Sequence, residues 1–251
     1  MSRFVDRLQS LLKSSTAPMG FHAAVSEVKS PSMLLVVELS AAQVKEAKMA
    51  TEVNADAGLI MSEGSSTKTI EQMVGALGSV PLGVFVRGMS EKEIDELGGL
   101  GCDFVIFDTK ATARILSEKK TGKFLTVEPS LDQGLVRAIN SFEVDGVLVG
   151  RGGDSSVAVE HLLVYRRFVE VLEKPVIITL PSLATKEELA SLRQAGVSGV
   201  IAASGQSFEA LAGLKKTIDA LPREARVRRS RAGVVLPQYG GSVVDEEDED
   251  Q

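Results

Sequence analysis

Two acidic residues that end neighbouring apolar runs give this chain its first candidate chemistry. Phe124 to Val127 runs into Glu128, and Val144 to Val149 runs into Gly150-Arg151-Gly152-Gly153-Asp154. Between them, Leu131, Leu135, Val136 and Ile139 share one helical face. Strand, helix and strand in that order form a parallel unit whose strands point their carboxyl ends the same way. Glu128 and Asp154 are therefore predicted to reach one rim, where two carboxylates can hold a hard divalent cation such as Mg²⁺ or Mn²⁺. The same residues also allow a plainer arrangement, in which Glu128 pairs with Arg151 and Asp154 caps the next helix.

Other apolar runs end near Glu38, Glu63, Arg87, Asp108, Ser182 and Ser204. Arg87 and Arg151 among carboxylates suit a small anionic substrate, such as a carboxylic acid gripped bidentately. A ring of compensating ion pairs is the alternative. Ser204-Gly205 opens the last helical pattern and offers amide N–H groups to a phosphate. Lys110 follows an apolar run instead of lying within one, which argues against a Schiff-base role. Cys102 starts a run and reads as core.

The elements that must position these residues are regular. Eight apolar runs occur at 33–39, 58–62, 82–87, 102–108, 123–128, 144–149, 175–180 and 197–203, nearly continuous as in strands covered on both faces. Helical patterns separate them. Capping-box spacing follows four runs: Ser40 with Gln43, Ser90 with Glu93, Ser130 with Gln133 and Thr185 with Glu188. Eight such units predict a (β/α)₈ TIM barrel over residues 1–221. A doubly wound sheet is the alternative, but no G-x-G-x-x-G follows the first strand. Leu180-Pro181-Ser182 ends the seventh run, where phosphate-binding barrels usually carry a glycine pair.

Residues 2–14 form an amphipathic helix with Phe4, Val5, Leu8, Leu11 and Leu12 on one side, suited to the bottom of the barrel or to a partner. Residues 222–251 change character: five arginines fall in 223–231, and the run Asp245 to Asp250 is wholly acidic. This segment is expected to be an extended, mostly disordered tail.

The acidic run alone accounts for the formal net charge of −6. The remaining body is neutral, so no nucleic-acid partner is expected. A single cysteine rules out an internal disulfide, and two histidines leave little room for zinc sites or histidine triads. No secretory h-region or membrane-length apolar run is present, so a cytoplasmic location without membrane contact is expected.

From Met33 to Asp154, and more weakly through Ser204, the chain resembles the metal-dependent class II pyruvate aldolases of the 4-hydroxy-2-oxoheptanedioate aldolase type, kin of the citrate lyase β-subunit. AGLIMSEGSS puts Glu63 in the place of that family's acid. LGVFVRGMSEKEIDELGGLGCDFVIFD puts Arg87 where the family grips the pyruvyl carboxylate. Glu128 and the VDGVLVGRGGD segment, ending in Asp154, fall on the metal ligands. Gly64 stands in place of the family's histidine, and the turn before Asp154 is one residue longer. The resemblance implies a lyase-like barrel and a homo-oligomer. Its Mg²⁺ or Mn²⁺ would lie on Glu128 and Asp154, and a 2-oxo acid or enolpyruvyl compound on Arg87; the strand-end residues themselves offer Arg151 and Ser204 as further substrate contacts. The alternative is a diverged barrel without catalysis that serves binding or assembly.

Overall fold

Eight parallel strands pair in chain order, and the last closes on the first, making a complete barrel. The computed structural model describes residues 2–14, 31–40, 43–61, 66–87, 91–117, 119–150, 156–180 and 184–222. The strands are β1 (Leu34–Leu39), β2 (Ala57–Ile60), β3 (Leu82–Phe85), β4 (Phe104–Phe107), β5 (Gly122–Val127), β6 (Gly146–Val149), β7 (Val176–Thr179) and β8 (Gly199–Ala202). The helices are α1 (Arg3–Ser14), α2 (Val44–Glu52), α3 (Thr67–Leu77), α4 (Glu91–Gly99), α5 (Gln133–Ala138), α6 (Val159–Val171), α7 (Lys186–Ala195) and α8 (Phe208–Asp219). The eight apolar runs of the sequence are these strands, and the (β/α)₈ architecture holds. Among the described residues, no helix is long and apolar enough to cross a membrane.

Two apolar layers follow from the two-residue period of the strands. One side of each strand packs under the surrounding helices, as with Leu35, Val37, Val105, Val147 and Val200. The other side fills the barrel with Leu34, Val36, Leu59, Phe104, Ile106, Phe124, Leu148, Ile177 and Ile201. Glycines admit the large rings. A Cβ at Gly83 would collide with the Phe104 ring, and one at Gly146 would come within 2.5 Å of Phe124.

The lower end of the barrel is closed by α1. Phe4 is fully buried, with its ring 4.6 Å from Phe104 and 5.5 Å from Phe124 between centroids. Asp103, just before β4, caps this helix from across the fold. Its carboxylate accepts from the Ser2 hydroxyl at 2.6 Å and from the Arg3 and Phe4 amides at 2.8 and 3.0 Å. An acceptor at a helix N-terminus satisfies donors that have no partner within the helix.

Helix starts depart from the capping-box spacing in two places. The Thr185–Glu188 box forms in full. Ser40 instead gives its amide to Glu46, and α2 begins at Val44 with no side-chain cap. Asp132, not Ser130, caps α5 by accepting from the Gly134 amide at 2.7 Å. Ser90 of the Ser90–Glu93 pair lies outside the described residues. After β4 a short 3₁₀ turn, Ala113–Ser117, replaces a helix. Val136 on α5 and Ile139 just after it are buried, but Leu135 is 57% exposed and does not join the expected apolar face.

Candidate functional site

The upper mouth of the barrel continues its inward columns. In β1 the alternation Leu34, Val36 leads to Glu38; beyond β3, Phe85 leads to Arg87; beyond β4, Phe104 and Ile106 lead to Asp108. In β5 Phe124 leads to Thr126 and then Glu128. Below this level the interior is apolar, so these polar groups form a charged lid on an apolar column. In barrels of this kind the carboxyl ends of the strands carry the active site.

Arg87 and Asp108 are brought together. Arg87 Nε lies 3.6 Å from Asp108 Oδ2, and the guanidinium stands 5.1 Å above the Phe85 ring. The other Asp108 oxygen accepts the Lys110 amide at 2.9 Å. A cavity of about 620 Å³ opens here, lined by Arg87, Asp108, Lys110, Thr126, Glu128 and Ser130 among others. Glu128 is exposed and faces this cavity. Its loop is held from behind by Arg167 of α6, whose Nη2 donates to the Pro129 carbonyl at 2.6 Å and the Leu131 carbonyl at 3.3 Å.

A second cluster sits where β8 closes on β1. The Ser204 hydroxyl donates to Glu38 Oε1 at 3.5 Å, a long bond. Glu46 of α2, 7% exposed, reaches the same place. Its carboxylate accepts the Ser40 amide at 2.6 Å, the Ser40 hydroxyl at 3.4 Å and the Gly205 amide at 3.1 Å. Burial pushes the Glu38 carboxyl above the usual carboxylate range; Ser204 opposes that shift and the nearby Glu46 charge adds to it. A carboxyl shifted this way is suited to exchanging protons.

The candidate residues separate accordingly. Arg87 and Glu128 line one cavity. Ser204 lies at the β1–β8 seam, where its hydroxyl faces Glu38, and the neighbouring Gly205 amide is already taken by Glu46. Glu63, Arg151, Asp154 and Ser182, with the tail 223–251, lie outside the described residues. Among the described residues, no group of three or more His, Cys, Asp or Glu side chains could hold a metal ion. Sequence reasoning missed Glu46 and Arg167.

Fold and site together define the molecule as a (β/α)₈ barrel with a charged, concave mouth. No family model and no curated protein sequence matches the chain. Solved structures match its fold. A tryptophan synthase alpha-subunit variant from Pyrococcus furiosus is 14% identical, covering 76% of this chain and 98% of its own, with a TM-score of 0.58. A Mycobacterium tuberculosis tryptophan synthase is 14% identical, covering 87% and 97%, with a TM-score of 0.63. A structure from Aquifex aeolicus gives 14%, 86%, 98% and 0.63. These similarities correct the resemblance to the class II pyruvate aldolases. The tryptophan synthase neighbours are barrels of a different family.

Proposed function

We propose that this barrel is an enzyme acting on a small carboxylate, with a 2-oxo acid as the first substrate class to test. Arg87 binds the carboxylate, and Glu38 moves a proton across the mouth. The observation that carries the proposal is Arg87 held beside Asp108 on the wall of a 620 Å³ cavity. A guanidinium at that position meets a carboxylate with two parallel hydrogen bonds. Glu38, partly buried on the same rim, supplies a carboxyl whose protonation lies closer to neutrality than that of an exposed one. As a carboxylate it would take a proton from the carbon beside a carbonyl. The electron pair would pass into the enolate, with the Arg87 and Lys110 charges nearby. Carbon–carbon bond cleavage or formation next to a carbonyl uses that same intermediate.

Proton exchange tests this directly. Pyruvate and related 2-oxo acids are incubated with the protein in D₂O, and loss of the C3 proton signal is followed by NMR. Exchange faster than in buffer, lost in Arg87→Ala and in Glu38→Gln, is the expected result. Saturable binding without exchange would favour the non-catalytic binding barrel instead. Neither binding nor exchange across the panel would overturn both. A divalent ion on Glu128 and Asp154 is a separate proposal, tested by titrating chelator-stripped protein and its Glu128→Ala variant with Mg²⁺ and Mn²⁺.

A further inference from the structure

Amide donors at the carboxyl ends of the last barrel strands are a common place to hold a substrate phosphate. In this chain the loop after β8 has such a donor, the Gly205 amide, on a residue with φ of +76°. Its N–H is taken by the Glu46 carboxylate at 3.1 Å. Glu46 comes from α2 and is 7% exposed; it takes Gly205 N–H at 3.1 Å and Ser40 N–H at 2.6 Å, joining the loops that follow β8 and β1. The Ser40 hydroxyl lies 3.4 Å from the same carboxylate oxygen that takes Gly205. A carboxylate so placed meets the donors that a phosphate oxygen would meet, and its charge repels a second anion.

We infer that Glu46 is a built-in anion that shapes the substrate class of this mouth: it occupies the Ser40 and Gly205 amides, one from each of the loops after β1 and β8, and keeps a substrate phosphate from this seam. The inference rests on the reading of the mouth as a ligand site. It adds that an anion enters at Arg87, on the β3–β4 side, and not at the seam. Glu46 is here a specificity-determining residue that touches no reacting atom.

The test titrates inorganic phosphate into the full-length, ¹⁵N-labelled protein at constant ionic strength and follows the Ser40 and Gly205 amide signals. In wild type neither signal is expected to move saturably up to about 20 mM phosphate. In Glu46→Ala the vacated donors are expected to bind phosphate with a Kd in the millimolar range, at least about tenfold tighter than wild type. A saturable Gly205 shift in wild type overturns the inference, whether or not any variant folds. So does a folded Glu46→Ala protein whose Gly205 amide ignores phosphate. The readout never involves Arg87, so failure here leaves the carboxylate reading standing, and failure of proton exchange leaves this inference standing.

Discussion

Arg87 Nε lies 3.6 Å from Asp108 Oδ2, across the mouth ends of adjacent strands β3 and β4. The Arg87 side chain is 56% exposed and that of Asp108 24%, so the pair adds little to stability. Its consequence is positional. The guanidinium is kept over Phe85 and against the cavity wall, where an incoming carboxylate must compete with Asp108 for it.

That competition predicts a gain of affinity. Asp108→Asn removes the competing charge and should tighten carboxylate binding roughly two- to fivefold, the range set by an exposed ion pair. Isothermal titration with a 2-oxo acid reads it. Unchanged or weaker binding in Asp108→Asn would mean that the ligand does not use Arg87.

Glu38 predicts a pH-dependent stability. Its folded-state pKa is raised, chiefly by burial. Below the ordinary carboxylate value both folded and unfolded chains carry the proton, and the shift has no effect. As pH rises through the raised folded value, the unfolded chain ionises more readily and the folded state loses stability. Glu38→Gln should therefore be more stable than wild type at neutral pH, with the gap closing below about pH 4. Thermal melts of both proteins across that range check the sign. A gap that instead widens on acidification would refute it.

At the opposite end, Phe4→Ala should be costly. The ring is fully buried against Phe104 and Phe124, and deleting it leaves a cavity beneath the barrel. A loss of about 3–5 kcal/mol is expected, lowering Tm by roughly 6–20 °C. Scanning calorimetry showing a loss under about 1 kcal/mol would mean that α1 is not part of the core.

The start of α7 offers a milder case. Thr185 Oγ1 accepts the Glu188 amide at 3.2 Å, while Glu188 accepts the Thr185 amide at 2.8 Å and the Val157 amide at 3.1 Å. These backbone hydrogen bonds hold the Glu188 carboxyl below the usual range. Thr185→Ala should lose about 1 kcal/mol, as N-caps do. Urea unfolding measures it, and no change would show that Glu188 alone carries the cap.

Strand positions were legible because a strand buried on both faces needs an unbroken apolar run, and MLLVVEL or CDFVIFD can satisfy little else. Arg87 and Glu128 were legible as candidates for the related reason that polar residues at the ends of such runs reach the mouth. The failures were local. Ser40 and Ser130 had capping spacing, yet the Ser40 amide goes to Glu46 and the cap of α5 is Asp132, which accepts the Gly134 amide. Leu135 matched a helical stripe, but α5 is a single short segment and turns that side chain outward.

The sequence by itself determined the number and order of strands, the apolar filling of the barrel and the polar residue that follows each strand, since these follow from periodicity along the chain. Only the tertiary structure decided which of those ends meet. Barrel closure sets β8 against β1, and this brings Glu46 to Gly205 across 159 residues. The same fold places Asp103 under the start of α1, about a hundred residues away. Such pairings depend on closure of the whole sheet, which no local pattern encodes.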